Sequence, residues 1–248
     1  MRLIRAALPD RPLIDVKACD VEAALADRSP GTYNRLLVVV RAALNIAKRR
    51  EWIETVPHLK RRKEPPAPTR CLTAAEWERL RAELPAHVQD MAEFAIATGL
   101  RWSNVAMLEW SQVSPKDKRM WIHAAQAKAK IPIGIPLSAT ALAVLERRGD
   151  DGTGFVFTYE GMPIGSARTA WGKAVARAGL DGLRWHDLRH TWASWHAMAG
   201  TPLDVLQRLG GWETRAMVDR YSHLAPSYVA QFADNSRPQN WSQGNASH

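Results

Sequence analysis

Two arginines sit beside local structure that can aim them. Arg101 falls in TGLRWS, where Gly99 stops one periodic segment just before the arginine, and Arg189 falls in HDLRHT at the start of another segment. A guanidinium is permanently charged and its planar fork matches two oxygens of a phosphate, so arginines held at helix ends suit an anionic group. Phosphodiester chemistry without a metal also needs a proton donor for the leaving hydroxyl and a nucleophile. The same half of the chain carries Lys128 and Lys130 in QAKAKIP, and histidines and a tyrosine in RWHDLRHTWASW and DRYSHL. His186-Asp187-Leu188-Arg189-His190 also imitates the His-Glu-x-x-His zinc motif, with Glu213 a possible downstream ligand. Against that alternative of a zinc-dependent hydrolase, Arg189 would crowd a cation and the shorter aspartate would reach a bound water less well.

The elements that must position these residues follow from periodicity and breakers. Lys60 to Arg70, KRRKEPPAPTR, joins a basic cluster to three prolines and reads as an interdomain linker, taken at its narrowest as residues 63–70. Before it, Asp20–Ala26 predicts a short helix. Ser29-Pro30 opens a longer one, with Tyr33, Leu36, Leu37, Val40, Leu44 and Ala47 at helical spacing among Arg35, Arg41, Lys48, Arg49 and Arg50. After it, Thr73 and Glu76 have capping-box spacing, and a helix from His87 should end at Thr98-Gly99. Met120–Ala125 alternates as a strand, with Ile131–Leu137 as an edge partner limited by Pro132 and Pro136. Helices are expected at Ser138–Arg148, Ser166–Ala178, His186–Ala199, from Thr201 to the Gly210-Gly211 break, and at Thr214–Tyr221. In the tail, Tyr228, Val229 and Phe232 give a short helix one apolar face, which is expected to dock on a protein surface.

In content, order and spacing, TGLRWSNVAMLEW, QAKAKIPIGIPLS, RWHDLRHTWASW and LGGWETRAMVDRYSHL resemble the catalytic domain of the tyrosine recombinase (phage integrase) family over Leu72–Pro226. The resemblance implies a predominantly α fold with a small β-sheet (α+β). It makes Arg101 and Arg189 the pair on the scissile phosphate, Lys128 the donor to the departing 5′-oxygen with Lys130 its rival, and Tyr221 the nucleophile. His186 is implied as a donor to the phosphate or a helper in taking the tyrosine proton. Trp212 stands where many members have histidine, and its indole can pack and donate one hydrogen bond but cannot act as a base. His190 reads as structural. The family commonly has an acidic residue where this chain has Asn104, so the support of Arg101 should differ. A 3′-phosphotyrosyl bond retains the energy of the phosphodiester, so rejoining needs no ATP, in keeping with the lack of a GxxxxGK[ST] loop.

The resemblance divides the chain into a shortened helical core-binding, DNA-binding domain at 1–62, the linker at 63–70, the catalytic domain at 71–226, and a C-terminal helix and tail at 227–248. Composition agrees with a polyanionic partner. The net charge is +9, and residues 1–70 hold 15 of the 34 Lys and Arg against 8 of the 25 Asp and Glu. Double-stranded DNA is the implied partner and a homotetramer the implied synaptic assembly. A noncatalytic DNA-binding protein on the same scaffold is the other reading. No apolar run approaches a membrane span and no signal peptide is evident, so a cytoplasmic protein is expected. Cys19 and Cys71 suggest neither a disulfide framework nor a zinc site, and neither cofactor nor metal is called for.

Overall fold

The computed structural model describes residues 12–65, 69–126, 132–150 and 154–224. Two compact units divide between Pro68 and Thr69. The expected tail helix and the lysine-bearing turn with Lys128 and Lys130 lie outside the described residues.

The first unit is built on α1 (Ala18–Ala24) and α2 (Pro30–Arg49). Pro30 takes the first helical position, where its missing N–H costs nothing and its fixed φ suits the helix. Tyr33, Leu37, Val40, Leu44 and Ala47 form one stripe of α2 and bury against Val21, Leu25, Ile53 and Leu59. Asn34 is buried on the same side, which apolar periodicity does not anticipate. Its amide donates to Arg62 O at 2.8 Å and Glu64 Oε1 at 2.6 Å, and its Oδ1 accepts from Arg62 N at 2.9 Å. The returning chain is thereby stitched to the helix. Two members of the basic set serve this fold: Arg41 donates to Leu59 O, and the Arg62 guanidinium lies 3.9 Å from the Tyr33 ring centre while donating to Ala26 O and Arg28 O.

The second unit is predominantly α with small sheets. Thr73 and Glu76 close a reciprocal capping box on α3 (Ala74–Glu83). α4 (Ala86–Thr98) is the centre of the core, with Val88, Met91, Ala92, Phe94 and Ala95 inaccessible to solvent. Against it pack α6 (Ala139–Arg148) and α8 (His186–Met198). Between α4 and α6 come the short α5 (Trp102–Ala106) and an antiparallel sheet of β1 (Val113–Ser114), β2 (Arg119–Ile122) and β3 (Ile133–Pro136). The register pairs Arg119 with Pro136 and Ile122 with Ile133. Pro132 thus precedes the ladder and Pro136 ends it, so neither proline breaks a central strand. β2 is shorter than its alternation predicts, because His123–Gln126 turns away and Gln112 Nε2 ties Gln126 Oε1 at 2.7 Å and Trp121 O at 2.8 Å. A small ribbon of β4 (Thr158–Tyr159) and β5 (Met162–Pro163) leads into α7 (Arg168–Arg177).

After α8 come α9 (Leu203–Gly210) and a single turn, α10 (Ala216–Asp219), then a 3₁₀ turn at Ser222–Leu224. The helix expected over Thr214–Tyr221 is therefore broken before the tyrosine. Tyr221, Leu206 and Val218 instead join Trp192, Ala193 and Ala197 of α8 in a separate apolar cluster. Among the described residues no helix is long and apolar enough to cross a membrane.

Gly99 ends α4 in the left-handed region at φ 66°, and a Cβ there would come within 2.3 Å of the Trp192 ring. Gly99→Ala combines backbone strain with overpacking. It should destabilise the unit by about 2–4 kcal/mol, read from urea unfolding midpoints.

Candidate active site

Arg101 is placed by the turn that ends α4. α4 stops at Gly99, Leu100 is buried as an anchor, and Arg101 is the N-cap of α5, its carbonyl accepting from Asn104 N at 3.0 Å and Val105 N at 3.1 Å. Asn104 is buried beneath it and its Oδ1 accepts from Ser103 Oγ at 3.3 Å. Among the described residues no carboxylate pairs with Arg101.

The start of α8 is fixed separately. Buried Asp187 accepts the Arg184 backbone N–H at 2.7 Å and pairs with its guanidinium at 2.9 Å. Trp185, just before His186, packs edge-on to Trp102 at 4.7 Å between ring centres and against Trp171 at 4.9 Å. Trp171 is itself pinned by donating Nε1–H to Leu183 O at 3.1 Å. The tryptophans next to Arg101 and His186 therefore touch, which sets the spacing of the two segments that carry the site.

Arg189 is 5% exposed. Its guanidinium donates to Gly99 O, at the C-terminus of α4, and to Gly210 O, at the C-terminus of α9. Both helix ends present partial negative charge to the cation, and their carbonyls lack partners within their own helices. Trp212 covers the guanidinium at 4.3 Å from ring centre to carbon, a cation–π contact. That ring needs Gly210 bare, since a Cβ there would fall 2.2 Å from it. Burial, aided by the charge of Arg101, pushes the Arg189 pKa down to about 9, which still leaves it charged at neutral pH.

Arg101, His186, Arg189, His190, Trp212 and Tyr221 line one cleft of about 190 Å³, completed by Met217 and Arg220. None of these residues carries a carboxylate. Five of the six expected site residues are thus brought together, the sixth being Lys128. Sequence reasoning missed three members, of which Met217 is apolar lining and two can carry charge. Arg220 has no signal of its own beyond adjacency to the tyrosine. His190, read as structural, places Nδ1 2.6 Å from the Tyr221 hydroxyl across 31 residues of chain. A larger groove of about 740 Å³ shares His186 with the cleft and is edged by Arg168 and Arg184.

Charge is tuned mainly by burial. It lowers the His186 pKa, with Arg189 and Arg101 adding to the effect, and pushes His190 down to about 4, with His186 contributing. It raises the Tyr221 phenol, opposed by Arg220 and Arg189. A cationic cleft holding neutral histidines and a protonated phenol is built to receive an anion.

Residues 70–227 match the model of the phage integrase family. The chain belongs to the phage integrase family. It is 39% identical over 213 residues to the integrase of Salmonella phage P22, covering 79% of this chain and 55% of that protein. The catalytic domain of bacteriophage HP1 integrase superposes with a TM-score of 0.57 at 27% identity, covering 70% of this chain and 98% of that one. A lambda integrase dimer bound to a COC′ core site gives a TM-score of 0.73 at 20% identity, covering 99% of this chain and 89% of that one, a likeness of fold. The chain spans about half or less of the length of the first curated relatives it matches, at 55%, 43% and 38%. The zinc alternative is not favoured by this family. Among the described residues no three His, Cys, Asp or Glu gather as a ligand set, and His190 is engaged by Tyr221.

A histidine whose folded pKa lies below its unfolded value leaves the native state holding fewer protons. Stability then rises with pH across that interval and is lost as pH falls from about 6.5 towards about 4. His186, His190 and His196 all shift this way. The urea midpoint should fall between about pH 7 and pH 4.5, and His190→Asn should flatten that slope.

Proposed function

We propose that the chain is a tyrosine-type site-specific recombinase that cuts and rejoins strands of double-stranded DNA through a 3′-phosphotyrosyl bond to Tyr221. The observation that carries this reading is the convergence of Tyr221, Arg101 and Arg189 on one carboxylate-free cleft. A scissile phosphate there meets Arg101 and Arg189 on its non-bridging oxygens. These cations are fixed before the reaction, so they stabilise the charge that builds on the phosphoryl group without reorganising. His186, which lines the same cleft, donates to that phosphate. Trp212 holds Arg189 in place.

The phenol oxygen of Tyr221 gives up its proton to a histidine of the cleft and attacks phosphorus as the bond to the 5′-oxygen breaks, and that oxygen leaves as a hydroxyl with a proton from Lys128. In rejoining, a 5′-hydroxyl attacks the phosphotyrosine and releases the tyrosine. One phosphodiester is exchanged for another, so the cycle needs neither ATP nor a metal. Arg168 and Arg184 along the larger groove take phosphates beyond the scissile one. Residues 1–62 act as the core-binding domain, 63–70 as its linker and 71–226 as the catalytic domain, with the C-terminal segment 227–248 linking protomers. Exchange requires several cuts, so the working assembly is a tetramer on DNA, in the cytoplasm, serving DNA integration and recombination.

On a nicked suicide duplex taken from the surrounding genome, at a site the protein protects, the wild type should yield a denaturant-resistant adduct and Tyr221→Phe none. Equal yields would refute the assignment. Arg101→Ala should cleave about 10²–10³-fold more slowly with a much smaller loss of binding, and excess EDTA should leave the wild-type rate unchanged. Arg101 is the cleaner probe, because Arg189 also holds two helix ends together.

A further inference from the structure

Two histidines of α8 reach the cleft, and the family resemblance leaves His186 two tasks, donating to the phosphate or helping to take the tyrosine proton. For the proton the geometry points to the other histidine: we propose that His190 takes the Tyr221 proton as the phenol attacks, which leaves His186 free to serve the phosphate. This rests on the reading of Tyr221 as nucleophile.

The contact is already made in the resting protein, with Nδ1 of His190 at 2.6 Å from the Tyr221 hydroxyl, and it is the hydroxyl's one hydrogen bond among the described residues. Residues 186, 189 and 190 share one face of a helix, so the element that brings Arg189 to the phosphate also brings the acceptor to the nucleophile. The His186 ring meets the His190 ring edge-on at 5.0 Å between centres. His186 is the more exposed of the two and makes no hydrogen bond with the phenol, whereas His190 lies against the tyrosine. The charged and titratable groups around His190 are His186, Asp187 and Arg184 at its own end of α8, and Arg220 and Tyr221 from the facing segment. Burial keeps the imidazole neutral at neutral pH, so a lone pair is available, and burial also keeps the resting proton on the phenol. Transfer is therefore uphill until substrate binds. An anionic phosphodiester beside the imidazole raises its basicity, and bonding to phosphorus makes the phenol more acidic.

In the step, the O–H bond of Tyr221 breaks towards Nδ1 and the oxygen's electron pair forms the new bond to phosphorus. The bond from phosphorus to the 5′-oxygen breaks, its electrons leave on that oxygen, and a separate donor protonates it. On rejoining, the imidazolium returns its proton to the tyrosine oxygen. No oxidant or further reactant is required.

Two measurements test this. In the free protein, the ring ¹⁵N resonances of His190, assigned by their loss in His190→Gln, should show Nδ1 unprotonated and Nε2 protonated at neutral pH. A protonated Nδ1 would mean that it donates to the phenol, and the proposal falls. In single-turnover cleavage of the suicide duplex, His190→Ala and His190→Gln should each lose about 10²-fold or more. The wild-type rate should be nearly flat over about pH 5.5–8, while the variants climb about tenfold per unit, since a hydroxide must then do the work. Glutamine keeps a hydrogen-bond acceptor but cannot take a proton, so recovery by His190→Gln would reduce the role to positioning and overturn the proposal. A 5′-bridging phosphorothiolate, whose sulfur leaves unprotonated, should not rescue His190→Gln, and rescue would put the histidine on the leaving group instead. Cleavage by Tyr221→Phe would instead sink the nucleophile reading itself, so the two failures are distinguishable.

Discussion

A guanidinium taken almost wholly out of water sets the terms for the second unit. Isolated, such a charge would cost several kcal/mol. Arg189 is tolerated because two helices end on it, through Gly99 O and Gly210 O, and because an indole covers its face. The dependence runs in both directions. Without the cation, two helix-terminal carbonyls in a buried place would lose their donors. Without Gly99 and Gly210, neither carbonyl nor the rings of Trp192 and Trp212 could come close enough. The arginine is a structural keystone as well as a charge at the cleft, and its rigidity follows from that double duty.

Around it the site is arranged for opposite demands on charge. Arg189 keeps its charge in the cleft, whereas the two histidines beside it are held neutral and the phenol protonated. One cause, burial, lowers the two histidines and raises the tyrosine. Only arginine keeps its charge under the same desolvation, which is the physical reason that lysine would serve poorly at position 189.

Much of this was legible in the sequence. Gly99 and Gly210-Gly211 marked where helices stop, Thr73 and Glu76 marked where one begins, and the prolines bounded β3. Arg101, His186, Arg189, Trp212 and Tyr221 were legible through family resemblance, and they meet in one cleft. What was hidden depends on contacts between distant segments. The link of His190 to Tyr221 spans 31 residues, and nothing local distinguishes that imidazole from a core histidine. Periodicity likewise gave no sign that Asn34 is buried as a stitch to the returning chain, or that Arg41 and Arg62 work inward on the first unit. The helix expected through Tyr221 failed for a similar reason. Propensity favoured continuation, but burying the ring beside Trp192 and Leu206 required the chain to turn after one coil.

The placement of Tyr221 carries a consequence for any assembly of such chains. Its ring is packed into an apolar cluster of its own chain, and its hydroxyl is held by the helix that bears Arg189. A single protomer therefore holds Tyr221 beside Arg101 and Arg189, so on the proposed reading the tyrosine and both arginines of one centre come from the same chain. Mixing defective copies, one lacking the tyrosine and another lacking Arg101, would not restore a working centre.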